Sequence, residues 1–259
     1  MAGSIADNAS IYKKQAYKYV PPTPPSNLID STTFVLDFTD RKFVHIGLDP
    51  ADEFNVAVHI LTSSRHISIS PGFLTRIYLL MGNILSIILD SPEKTKENIF
   101  LTDETIKLSK MVYRGQNVLV IESLIIDGCR VLLNRQDLIK LQYLEWSIFE
   151  SVTRKISLVR PKVIKQMDQI SSYLKKMYNI QKKTASVEKL VTFIKGITDD
   201  KITNYIPKND YSFISQIKLL ATEQLALNWI SIMNEPFEVN NFIHIKNKHF
   251  YLLVLIILG

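Results

Sequence analysis

His66-Ile67-Ser68-Ile69-Ser70-Pro71 and Arg130-Val131-Leu132-Leu133-Asn134-Arg135 follow one pattern. Each sets apolar residues where a half-buried strand needs them, then places a small polar residue just before a helical stripe. Ser70 and Asn134 suit an N-cap, because a side-chain oxygen there accepts from the free amides of the first turn. Pro71 suits the first helical position, and Asp137 puts negative charge at the positive end of its helix.

The match extends in both directions. Downstream, Leu74, Ile77, Leu80, Ile84 and Leu85 correspond to Leu138, Leu141, Leu144, Ile148 and Phe149, one apolar face in each helix. Arg76 and Lys140 occupy matching basic positions. Upstream, Phe54 to Val58 aligns with Gln116 to Val120 as a second strand. Lys42 to Ile46 and Thr105 to Val112 supply a third, with further candidates at Thr33 to Phe38 and Ile99 to Thr102. The expected fold is therefore α+β, with two tandem antiparallel-sheet-plus-helix units at residues 33–90 and 99–157. The charged stretch Ser91 to Asn98 links them.

Residues 1–32 read as a flexible arm. Lys13, Lys14 and Lys18 alternate with tyrosines ahead of Pro21-Pro22-Thr23-Pro24-Pro25, which favours an extended chain. Residues 161–235 read as helical, through Val163, Ile164, Met167, Ile170 and Leu174 and then two later stripes. These helices either form a small domain or cover the sheets. Nine basic residues against one acid, Asp168, lie between Arg154 and Lys183. Such a face is either solvated or holds phosphates. In the tail, residues 236–259, Phe250 to Leu258 is apolar throughout but too short for a membrane helix, which needs about 20 residues. It reads as a buried strand or short helix, a truncated anchor, or a tail foreign to the fold.

Composition narrows function. The chain has 31 Lys and Arg against 25 Asp and Glu, a formal charge of +6 that suits an anionic partner. Cys129 is the only cysteine, so no internal disulfide or multi-cysteine zinc site can form, and a reducing compartment is expected. No export signal is evident at the start. Glycine-rich phosphate loops, helical metal-binding histidine pairs and nucleophile elbows are absent. The strand period is expected to scatter His59 and His66. Cys129, next to Arg130, has a setting that lowers a thiol pKa but no partner base. The expectation is a non-enzymatic protein without cofactor or metal.

Tyr113-Arg114-Gly115-Gln116, the strand Val118 to Ile121, and Val131 to Asn134 leading into a helix resemble the single-stranded-DNA-binding domain of the transcriptional coactivator family called positive cofactor four. The resemblance covers Phe100 to Lys155. It implies a curved four-stranded sheet packed on a helix, and a pair of such domains whose grooves hold unpaired strands. Both halves would come from this one chain, as a pseudo-dimer. The family's basic residue on the second strand falls near Glu122 here, its Lys- and Arg-rich loop shrinks to Asp127-Gly128-Cys129-Arg130, and its helix tryptophan corresponds to Leu138. The aromatic-basic-glycine turn is replaced in the first copy by Asp49 to Glu53.

The nucleic-acid-binding residues expected on this basis are Lys107, Lys110, Tyr113, Arg114 and Arg130, with Lys42, Phe43, Arg65 and His66 as first-copy counterparts. Cations would neutralise phosphates, and Tyr113 and Phe43 would stack on bases; Phe43 fits the core equally well. Single-stranded DNA is the expected partner, RNA the second candidate, and transcription or replication proteins further ones, with no membrane and an intracellular, nuclear location. The competing reading is a protein-interaction or structural module, viral or transposon-related, that keeps the fold without binding DNA.

Overall fold

The computed structural model describes residues 25–92, 98–177, 186–206 and 212–234. The expected α+β fold is present, as two four-stranded antiparallel sheets with helices. The first sheet is a meander of β1 (Ile29–Asp37), β2 (Lys42–Asp49), β3 (Asn55–Leu61) and β4 (His66–Ile69), followed by α1 (Pro71–Leu79) and α2 (Met81–Leu89). The second repeats the order with β5 (Asn98–Thr102), β6 (Ile106–Tyr113), β7 (Gln116–Ser123), β8 (Arg130–Leu133), α3 (Arg135–Tyr143) and α4 (Glu145–Arg154). β1 begins at Ile29, so the first unit reaches into what the sequence reads as the arm.

Register explains which residues are buried. In the first sheet Val44 faces Ile60 and Ile46 faces Val58, while Val58 and Ile60 face Ile69 and Ile67. All six are buried, as are Phe73, Leu74 and Ile77 of α1. The alternate face carries Phe43, His45, His59, Leu61 and His66. Register also corrects the sequence alignment. Val58 pairs with Ile69 as Leu119 pairs with Leu133, so Asn55 matches Gln116 rather than Asn117. A five-residue connection, residues 50–54, precedes β3 where the two residues 114–115 precede β7. A slip of one residue exchanges the two faces of a strand, so the correction decides which side chains share a surface.

Both helix starts are capped as expected. The Ser70 hydroxyl accepts from the Phe73 amide at 3.1 Å. Asn134 accepts from the amides of Gln136 and Asp137 while Asp137 accepts from the Asn134 amide at 2.7 Å, a complete capping box. Each helix expected as one piece is two, broken at Leu80 and at Leu144, positions that match between the units. The break between α1 and α2 bends the chain by 58°. It sends α2 onto the other unit's β7, where the Asn117 amide donates to the carbonyls of Ile87 and Asp90. In return α4 lies against β2, and α3 against β1. The Tyr78 hydroxyl donates to the Leu141 carbonyl, and the Tyr78 and Phe149 rings lie 5.2 Å apart. One continuous apolar core results.

The second unit does not end where the sequence suggests. Its last helix continues from α4 through a π-helical turn, Lys155–Val159, into α5 (Arg160–Met177). Pro161 has no amide for the Ser157 carbonyl, and its ring crowds that carbonyl. The π turn, in which the Arg160 amide reaches the Lys155 carbonyl, accommodates both effects without ending the helix. It also directs Lys155 inward, where the fully buried ammonium binds the Asp30 carboxylate at 2.9 Å and the Asp30 carbonyl. Beyond it come α6 (Val187–Gly196), α7 (Asp199–Thr203), α8 (Ile214–Leu220) and α9 (Thr222–Asn234); α8 and α9 pack on α5, α6 packs on α8 and α9, and α7 packs on α8, with Ile170, Leu174, Leu190, Ile194 and Trp229 buried. α8 also touches β1, and Gln216 accepts from the Asp30 amide. The helices therefore do both things the sequence allowed. Residues 1–24 of the expected arm and the apolar tail, 236–259, lie outside the described residues.

Among the described residues no single helix is long and apolar enough to cross a membrane.

Candidate nucleic-acid interface

A cleft of about 750 Å³ lies at the seam of the two units. The β1–β2 and β3–β4 turns of the first unit wall one side, bringing Arg41, Lys42 and Arg65. The β6–β7 hairpin and β8 wall the other, bringing Tyr113, Arg114 and Arg130. The seam itself is a contact of β4 with β7 and β8, fixed where the Cys129 thiol donates to the His66 carbonyl at 3.1 Å.

Local sequence positions each of these groups. Arg114 and Gly115 both have positive φ, 51° and 76°, the signature of a two-residue hairpin turn whose twist suits antiparallel strands. The turn holds the Arg114 guanidinium 5.2 Å from the centre of the exposed Tyr113 ring, a cation–π contact. Arg65 is held by its amide, which donates to the Thr62 hydroxyl, while Thr62 in turn donates to the Arg65 carbonyl. Arg41 takes φ 52° at the end of a turn in which Asp37 caps the amides of Thr39 and Asp40. Arg130 opens β8 and is exposed.

Of the residues named from the sequence, the cleft brings together Tyr113, Arg114 and Arg130 with Arg65, from both copies. The other expected residues are placed elsewhere or otherwise engaged. Lys42 reaches the cleft wall, yet its ammonium lies 2.7 Å from the buried Asp137 carboxylate and 3.4 Å from Asp40. Burial acts to lower the Lys42 pKa, but the two carboxylates outweigh it and hold the pKa above the usual lysine value. Lys42 is therefore a cross-unit strut rather than a phosphate ligand. Lys107 pairs across the strands with Glu122 at 3.1 Å. Lys110 faces Leu119, on the opposite face of the sheet from Lys107. Their odd spacing along one strand separates them. Phe43 is half-buried opposite Val35 and Leu61, and does not line the cleft.

His66 does not line it either. Burial lowers its pKa, so it is a poor cation at neutral pH. Instead it joins His59 and His45, with ring centres 6.0 Å and 6.3 Å apart on three adjacent strands. The strand period does not scatter these histidines, because register returns them to one face. No group of three metal-ligating side chains converges among the described residues. Burial drives the His59 pKa down to about 4, with smaller contributions from His66 and His45. The Cys129 pKa is raised by burial despite Arg65 nearby, which corrects the expected activation by Arg130.

Sequence reasoning missed Arg41. It stands in the turn before β2, which faces the same cleft as the turn before β4, a proximity that only the packed sheet shows. The basic run after Arg154 is partly structural: Arg154 and Lys155 both pair with Asp30, and Arg160 donates to the carbonyls of Glu53 and Phe54.

Fold and cleft together define an α+β chain with a cationic seam between two like units. No protein-family model and no curated protein matches the chain.

Proposed function

We propose that this protein binds unpaired nucleic-acid strands, single-stranded DNA first and RNA second, without catalysing a reaction. The observation that carries this reading is the composition of the cleft. Four arginines line it beside the ion-paired Lys42 and Asp40, and an exposed tyrosine stands at its rim. Arginines neutralise phosphates with release of counterions, and a tyrosine face stacks on any base. The two units act as a pseudo-dimer, with the strand held where they meet. A role as a transcription or replication cofactor inside the nucleus follows from the same reading.

Titration of fluorescently labelled single-stranded and duplex oligonucleotides at several salt concentrations tests it. With Arg41, Arg65, Arg114 and Arg130 engaged, log K should fall against log salt with a slope of about −2.8, from about −0.7 per phosphate contact on single strands. Binding weaker than about 10⁻⁴ M at physiological salt refutes the proposal.

One observation favours a second reading. Leu124, Ile125 and Ile126 stand 50%, 73% and 59% exposed in the β7–β8 loop. The backbone bonds from Cys129 to Ile126 and from Leu124 to Thr105 hold that loop in place. An ordered apolar tip suits a protein-interaction module, viral or transposon-related. A folded chain that fails the titration would pass to this reading.

A further inference from the structure

Two units built to one register need not carry one chemistry. Matching β2 with β6, β3 with β7 and β4 with β8 through their cross-strand partners gives each cation of the cleft, on a strand or one residue from its end, a counterpart in the other unit. Arg41 corresponds to Thr105 and Lys42 to Ile106, counting back along the aligned strands. Arg65 corresponds to Cys129, Arg114 to Pro50, and Arg130 to His66. None of the five cations is matched by another lysine or arginine.

Lys42 is met by Asp137 and Asp40, so the charge the cleft offers a phosphate is that of its four arginines, Arg41, Arg65, Arg114 and Arg130. Their matched positions, Thr105, Cys129, Pro50 and His66, carry no lysine or arginine, and Tyr113 of the cleft is matched by Asp49. A chain of phosphates is attracted to the first set and finds no such cations at the second.

We propose that the protein holds a single unpaired strand, in the cleft between the units, because the counterpart positions lack the arginines to hold a second and because Asp49 and Pro50, which correspond to Tyr113 and Arg114, line a separate pocket with helices α6, α8 and α9. This rests on the nucleic-acid reading above. It distinguishes the chain from any arrangement in which two like units present two like grooves and hold two strands side by side.

The test counts strands. The full chain is titrated with labelled oligothymidine of about 16 nucleotides, the upper end of the site size for small single-strand-binding folds. Native mass spectrometry and the stoichiometric break point then give strands per chain, with one expected. In the double variant Arg65→Gln/Arg130→Gln the salt slope should shrink by about 1.4, two contacts at about 0.7 each. A thermal melt confirms that this variant is folded. Two strands per chain at saturation overturns the single-strand proposal while leaving the nucleic-acid reading intact. An unaltered slope in a folded double variant overturns the assignment to this cleft. No binding by the natural chain overturns the nucleic-acid reading itself.

Discussion

Replacing Asp137 with asparagine removes one charge from the contact that fastens the first sheet to the second unit. The Asp137 side chain is fully buried, and the Lys42 side chain that reaches it at 2.7 Å is 11% exposed. The same carboxylate oxygen accepts from the Asn134 amide as the closing bond of the capping box. Asparagine still offers an oxygen to that amide but leaves the ammonium without its main counter-charge. Losing one partner of a buried ion pair costs about 3–5 kcal/mol. Asp40, 3.4 Å from the ammonium, softens the loss, so about 3 kcal/mol is expected. At roughly 2–4 °C per kcal/mol for a domain of this size, the melting temperature should fall by about 6–12 °C. Circular dichroism at pH 7 measures this directly. Lys42→Met/Asp137→Leu leaves no uncompensated charge and should recover most of the loss, less about 1 kcal/mol for the missing cap. A melt of Asp137→Asn within about 1 °C of the natural chain would refute the reasoning, as would a double variant less stable than the sum of the singles.

Gly47→Ala should destabilise by about 1–3 kcal/mol, since a methyl group there would sit 2.5 Å from the Leu28 Cβ; a chemical denaturation midpoint close to that of the natural chain would count against the close packing of this strand. Gly82→Ala, with nothing within 4 Å, should instead stabilise the chain by about 0.4–1 kcal/mol, and a loss on denaturation would contradict the helical, open setting of that residue. His59 should make stability fall as pH drops. Its folded pKa, about 4, lies below the ordinary value of 6.5, so between those limits the unfolded chain binds the extra proton; the effect is absent above about pH 6.5, complete below about pH 4, and approaches 3 kcal/mol. A pH series of denaturation curves for the natural chain and His59→Leu tests this, and identical slopes would sink it.

Much of the fold was legible because strand alternation and helix capping are local effects. Ser70 and Asn134 mark their helix starts in the sequence as clearly as in the structure. The helix breaks at Leu80 and Leu144 were not legible, since both residues continue the apolar stripe and neither is a helix breaker. Pro161 misled in the opposite direction, because a π turn lets the helix pass through a residue that ordinarily starts or ends one. The cleft was legible in Tyr113, Arg114, Arg130 and Arg65, which sit at turns and strand ends. It was not legible in Lys42, whose partner Asp137 lies 95 residues away and could be found only once the units were packed together. The histidine row failed for a related reason: which residues of neighbouring strands stand side by side depends on register, and the connections before β3 and β7 differ in length.

The break at Leu80 has a consequence for how such a chain changes over time. Because it sends α2 across onto β7, neither half keeps its core covered alone, and covalent linkage keeps the halves together at any dilution. In an assembly of two identical chains every substitution appears twice, so a cation gained on one side is gained on the other. Joining the halves in one polypeptide removes that constraint. Each position is then inherited separately, and Arg65 of one half and Arg130 of the other can stand at the seam while their counterparts are Cys129 and His66.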